Sequence, residues 1–179
     1  MTDQRILVAG IGNIFLGDDA FGCEVTKLLM QRTWPNGVRV VDFGIRGFDL
    51  VYALLDDYDA AILIDAAPRG GEPGTLYTIE PDLSELDELK AQDMMIETHG
   101  MNPMKVLSTV KSMGGHIKRI LLVACEPATF GPEEGHMGLS EPVSAAVPEA
   151  ARIVENLIMK ILKDPAAEAA SAGSGSRMS

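Results

Sequence analysis

Short, fully apolar runs alternate along the chain with longer stretches in which apolar residues recur every three or four positions. That alternation predicts βαβ units built on a mostly parallel sheet. Ile6-Leu7-Val8-Ala9 reads as the first strand, and the loop from Gly10 to Asp19 leads into a helix with Phe21, Val25, Leu28 and Leu29 on one face. Val38 to Asp42 is a second strand, and a break at Phe43-Gly44-Ile45-Arg46-Gly47 precedes a short helix carrying Leu50, Ala53 and Leu54. Ala60 to Ala66 is apolar except for Asp65 near its end, the pattern of a central strand covered on both faces. Gly74 to Ile79 reads as a further strand, antiparallel because the connection through Pro68, Gly70, Gly71 and Pro73 is too short for a helical crossover.

A helix is predicted from Pro103 to about Met113, with Met104, Leu107 and either Val110 or Met113 facing inward, stopped by Gly114-Gly115. Arg119 to Cys125 is another buried strand, followed by a long loop from Glu126 to Leu139. Ser140-Glu141-Pro142 opens a last helix, Pro142 suiting its first turn, with Val143, Ala146, Ala150, Ile153, Leu157 and Ile161 as the inner face. The expected architecture is one α/β domain over residues 1–163, a mostly parallel twisted sheet of about five strands with helices on both faces. Residues 164–179, rich in Ala, Ser and Gly, have nothing to bury and read as a flexible tail.

Composition narrows the function classes. Lys and Arg number 15 against 26 Asp and Glu, a formal charge of −11, which argues against nucleic acid as a partner because phosphate binding rests on clustered cations. A hydrophobic share of 46% provides a core and excludes a disordered chain. The longest apolar runs are strand-sized, so no membrane helix is expected, and Gly10 ends the first run short of a signal-peptide core. A soluble, cytoplasmic protein is the expectation, and nothing in the sequence demands more than a monomer. Cys23 and Cys125 cannot form a disulfide framework and read as buried free thiols.

The usual catalytic motifs are missing. There is no G-x-S-x-G elbow, no H-E-x-x-H helix and no G-x-x-x-x-G-K-S/T phosphate loop. Glu133-x-x-His136 lies in a Gly- and Pro-rich stretch, and His116, beside a glycine pair and Lys118-Arg119, reads as an exposed turn residue. Gly10-x-Gly12 after the first strand invites dinucleotide binding, but Phe15 occupies the position where the third glycine is needed for close helix–strand packing.

What remains is a set of polar residues at the carboxyl ends of predicted strands, where open α/β sheets bind ligands. Asp19 follows the first strand, Asp42 ends the second, Asp65 ends the third, and His99 opens a later helix. Two carboxylates and an imidazole make an incomplete coordination shell for a divalent transition metal, with positions left for substrate or water. Each also has a structural alternative: Asp18, Asp19 and Asp42 as helix caps or first-turn acids, Asp65 as a turn former, His99 as a loop residue.

The segment Gly10-Ile11-Gly12-Asn13-Ile14-Phe15-Leu16-Gly17-Asp18-Asp19-Ala20-Phe21-Gly22 closely resembles the opening motif of the hydrogenase maturation endopeptidases. The resemblance continues through Ile64-Asp65-Ala66, His99 and His136-Met137-Gly138-Leu139-Ser140, spanning residues 5–162. It implies an α/β peptidase that removes a short C-terminal extension from the large-subunit precursor of a [NiFe]-hydrogenase after nickel insertion. Asp19, Asp65 and His99 match the family's metal-contacting residues, and the nickel is expected to arrive with the substrate, the free protein needing none of its own. Asp42 matches a further acid and is a secondary catalytic candidate. The segment Asp42-Phe43-Gly44-Ile45-Arg46-Gly47 departs from the commoner Asp-Gly-Gly-Thr pattern, which suggests a subgroup with its own substrate. The other reading is a non-catalytic assembly factor that senses nickel insertion and holds the precursor.

Overall fold

A computed structural model describes residues 4–84, 102–130 and 138–163. Its strands are β1 (Ile6–Ile11), β2 (Val38–Gly44), β3 (Ala60–Ala66), β4 (Leu76–Ile79) and β5 (Ile120–Cys125). The helices are α1 (Phe21–Met30), α2 (Gly47–Leu54), α3 (Pro103–Ser112) and α4 (Glu141–Lys163), and a 3₁₀ turn at Gly17–Ala20 precedes α1.

The strands form one sheet in the order β2-β1-β3-β5-β4. The first four of these positions run parallel, and β4 pairs antiparallel with β5, as the short Pro/Gly connection requires. Alternation along the strands supplies both faces with a core. Ile6 and Val8 of β1 join Ile62 and Ile64 of β3 under α1 and α4, while Leu7, Ala9 and Ile11 join Ala61 and Leu63 under α2 and α3. The result is the expected single-domain α/β architecture with helices on both faces.

Several boundaries and faces differ from the sequence reading. The strands β1 and β2 run two residues further than their apolar cores, to Ile11 and Gly44, because Gly12 N–H bonds the Gly44 carbonyl and extends the pairing past Asp42. In α3, Val110 faces the core and Met113 is exposed. In α4 the fully buried line is Val143, Ala146, Ala150, Val154, Ile158 and Ile161, whereas Ile153 and Leu157 are half-buried on its flank. The helical period admits either neighbour of a 23-residue helix, and the packing against α1 chose the second. His116 is exposed, as read. The expected tail at 164–179, most of the acidic run from Asp82 to Glu88, Glu133, His136 and His99 lie outside the described residues.

Candidate active site at the carboxyl edge of the sheet

In this strand order the chain leaves β1 toward β2 on one side, while β3 lies on the other, so a crevice opens above the carboxyl ends of β1 and β3. Ligands of open α/β sheets bind at such a switch point. Two glycines let the segment after β1 settle into it. Gly12 has φ of +146°, and a Cβ there would lie 1.8 Å from the Asp19 carbonyl oxygen, so only glycine permits this close return of the chain. Gly22, in the first turn of α1, sits so near the sheet that a Cβ would lie 2.2 Å from the carbonyl oxygens of both Ile11 and Ile64. The helix therefore begins directly over the ends of β1 and β3.

Asp19 is half-buried, and its Oδ2 accepts the Asn13 N–H at 2.9 Å. Asp65, the penultimate residue of β3, is only 7% exposed, and its Oδ1 accepts the Ala66 N–H at 2.9 Å. Burial raises the Asp19 carboxyl above the ordinary range, against the pull of the Asn13 bond. Burial, and after it the charge of Asp19, pushes Asp65 well above that range. Two neighbouring carboxylates, one of them almost fully buried, have two chemical uses: one retains a proton as an acid, or both lose their protons to a cation placed between them.

Asp42 stands next in line across β1, its Cα paired with Gly10. Its Oδ1 accepts the Gly44 N–H at 3.0 Å and its carbonyl accepts Arg46 Nη2 at 2.7 Å, so the side chain shapes the loop after β2. The Cys23 thiol donates to the Gly12 carbonyl at 3.4 Å. Burial first, then hydrogen bonding to Asp42 and the charges of Asp42, Asp19 and Glu24, raises it to about 12. A thiol raised in this way is a poor nucleophile at neutral pH. Cys125 is buried and raised to about 11 by burial and by the charges of Asp18 and Glu126. Among the described residues no three His, Cys, Asp or Glu side chains form a metal-binding group.

The sequence profile described as hydrogenase maturation protease matches residues 23–157. The chain belongs to the hydrogenase maturation protease family. It is 32% identical over 146 residues to the hydrogenase 2 maturation protease of Escherichia coli, covering 80% of this chain and 84% of that one. Its fold superposes on the E. coli hydrogenase maturating endopeptidase HybD with a TM-score of 0.70 and 28% identity, over 88% of this chain and 93% of that one. It is likewise similar to the [NiFe] hydrogenase maturation protease HycI from Thermococcus kodakarensis, with a TM-score of 0.64 and 30% identity over 90% and 94% of the two chains.

In this hydrogenase maturation protease the sheet edge holds two more acids, Asp18, read from sequence as a cap or first-turn acid and standing in the first turn of the 3₁₀ segment, and Glu126, read only as a loop residue. Asp18 is not a helix cap: no side chain caps either the 3₁₀ turn or α1, and the Asp18 carboxylate instead points into the interior, where it is 0% exposed. Burial pulls it upward, but N–H donors from Ser140, Ala128 and Thr129 and the Ser140 hydroxyl outweigh that and hold it below the ordinary range. Glu126, read as the first loop residue after β5, is 5% exposed and accepts from the N–H groups of Arg69 and Gly70 and from the Tyr77 hydroxyl. It ties the turn before β4 to the end of β5. The available signal was position alone: each of the four parallel strands is ended or followed by an acid, Asp18 and Asp19, Asp42, Asp65 and Glu126.

Proposed function

We propose that this protease removes the C-terminal extension of a [NiFe]-hydrogenase large-subunit precursor after nickel insertion, and that Asp19, Asp65 and His99 engage the precursor's nickel. The observation that carries the proposal is the placement of two partly or fully buried carboxylates, Asp19 after β1 and Asp65 at the end of β3, at the switch point of the sheet, with the charge of Asp19 felt at Asp65. Burying two like charges together is costly, and an incoming divalent cation removes the cost by giving each a counter-charge. An incomplete shell of oxygen and nitrogen donors binds a free ion weakly and gains affinity when the precursor presents a metal already held by its own ligands. Nickel then acts as a Lewis acid on the scissile carbonyl or on an attacking water, so no serine or cysteine nucleophile is needed. Asp42 orients the peptide or takes part in proton transfer.

The experiment is cleavage of nickel-loaded precursor by the wild type and by Asp19→Ala, Asp65→Ala and His99→Ala, followed by gel shift of the large subunit. Each variant is expected to lose at least about 100-fold in kcat/KM, the scale of removing a group that meets the reacting centre. Full activity in all three would overturn the assignment.

The exposed apolar residues near the same edge of the sheet bear on the substrate's chemistry. The turn after β1 holds out Ile14, Phe15 and Leu16, the loop after β2 holds out Ile45, and the first turn of α2 holds out Phe48, with Phe15 60% and Phe48 77% exposed. Phe15 N–H bonds Asn13 Oδ1, Leu16 N–H bonds the Asn13 carbonyl, and the Gly12–Gly44 bond ties the two segments together. A polypeptide reaching Asp19 and Asp65 passes over this apolar rim, so residues flanking the scissile bond are apolar in this reading. Phe15→Ser and Phe48→Ser are each expected to raise KM for the precursor about tenfold, the scale of one exposed phenylalanine buried on binding, with kcat little changed. Steady-state kinetics at fixed nickel loading checks this, and an unchanged KM in both would contradict it.

A further inference from the structure

Asp18 takes no part in the proposed chemistry, yet among the described residues it is the most completely enclosed carboxylate. Its Oδ1 accepts the Ser140 N–H at 2.7 Å, and its Oδ2 accepts the Ala128 N–H at 2.8 Å, the Thr129 N–H at 3.1 Å and the Ser140 hydroxyl at 2.8 Å. The Asp18 N–H answers in the other direction, bonding the Thr129 carbonyl at 3.0 Å. One side chain thus gathers three parts of the chain: the 3₁₀ turn after β1, the segment after β5 and the residue that precedes α4.

The next residue in that turn is Asp19. Its carboxylate is held by a single described bond, from Asn13 N–H, and its own N–H bonds the Leu16 carbonyl. Among the described residues nothing apolar covers the outer side of the segment before the turn, where Ile14, Phe15 and Leu16 are exposed. The orientation of Asp19 relative to β3 therefore depends on what grips the turn from within, and that grip is the Asp18 carboxylate together with Ala20 and Phe21 packed behind it.

We propose that Asp18 is a positioning residue: by clamping the 3₁₀ turn to Ala128, Thr129 and Ser140, it sets the Asp19 carboxylate at the separation from Asp65 that the reaction needs. The proposal rests on the function stated above. Asp18→Asn keeps the size of the side chain but replaces one acceptor oxygen by an NH₂ group facing N–H donors, so the clamp loosens on one side. A displacement of the order of 1 Å at a reacting group is enough to cost about 100-fold.

The test is steady-state cleavage of nickel-loaded precursor by the full chain at a temperature well below every variant's Tm. Asp18→Asn is expected to lower kcat about 30- to 100-fold with KM within about threefold of wild type, because the substrate surface is intact while Asp19 is misplaced. Ser140→Ala removes only the hydroxyl donor and is expected to lower kcat about threefold; it carries the test should Asp18→Asn not fold. Val110→Ala, a core truncation in α3 on the opposite face of the sheet, lowers Tm without touching the turn and is expected to keep the wild-type kcat. Folded Asp18→Asn with wild-type kcat, or an equal loss of kcat in Val110→Ala, overturns the positioning role. A wild-type chain that leaves the precursor uncut overturns the proposed function, and this role with it, so the two failures are distinguishable.

Discussion

Asp65→Asn is expected to yield a protein that melts higher than the wild type and no longer cleaves. The carboxyl of Asp65 is almost fully buried and is pushed well above the ordinary carboxylate range by burial and by the nearby Asp19. A carboxyl whose pKa is raised on folding favours the native state while it is protonated. Stability is therefore highest below the unfolded-state pKa and declines as pH rises from there through the raised folded value. Asparagine resembles the protonated form at every pH, and its Oδ1 still accepts the Ala66 N–H. The gain over wild type is expected to be absent near pH 3 and to open as pH rises, reaching about 1–2 kcal/mol, or roughly 2–8 °C in Tm for a chain of this size. On the proposed function cleavage is expected to fall at least about 100-fold in the same variant, because a neutral amide is a poorer ligand than a carboxylate for the precursor's nickel. Thermal melts across pH beside the cleavage assay check both halves, and a variant that melts lower than the wild type at pH 7 would contradict the electrostatic picture of the site.

Gly22→Ala carries the largest expected loss of stability. The added Cβ would lie 2.2 Å from two backbone carbonyl oxygens, those of Ile11 and Ile64, which belong to neighbouring strands and cannot turn aside. The first turn of α1 must lift away from the sheet, opening the packing of Phe21 and Val25 over β1 and β3. Overpacking against backbone costs about 3 kcal/mol, or roughly 6–12 °C in Tm, and the favourable helix propensity of alanine recovers only a fraction of it. Since Asp19 leads directly into this helix, cleavage is expected to fall as well. Gly70→Ala makes a useful contrast: a Cβ there meets nothing within 4 Å, so its cost is confined to backbone strain at φ of +86°. Denaturant unfolding of the two variants measures the difference, and a Gly22→Ala protein as stable as the wild type would mean that α1 does not sit as close to the strands as described.

How far the molecule can be read from its sequence depends on the range of the interaction. The strands announce themselves because each is a short apolar run whose neighbours break it, and the antiparallel turn into β4 follows from a connection too short for a crossover. Asp65 is legible for the same reason, as an acid at the end of a buried strand, and Asp42 as an acid near the end of β2, whereas Asp19 lies in the turn after β1 and is picked out only with the glycine-rich segment that precedes it. The inner line of α4 is less so, since Ile153 and Leu157 fit the helical period as well as Val154 and Ile158, and only the packing against α1 distinguishes them. Asp18 is not legible as a clamp. Its donors at Ala128, Thr129 and Ser140 lie 110 to 122 positions away, and two of those residues give only their backbone N–H, which no pattern of side chains announces. The closeness of Asp19 to Asp65 is likewise a product of sheet order, with β3 seated beside β1.

The central claim is that nickel borne by the precursor draws the Asp19–Asp65 pair into action. Its most direct test is mass spectrometry of the C-terminal extension after mixing purified protease with nickel-loaded precursor and, separately, with the same precursor lacking nickel. Release of the extension from the loaded form alone is the predicted result. Equal release from both forms would contradict the claim, and a stable complex with no released peptide from either would make the protein a holding factor instead of an enzyme.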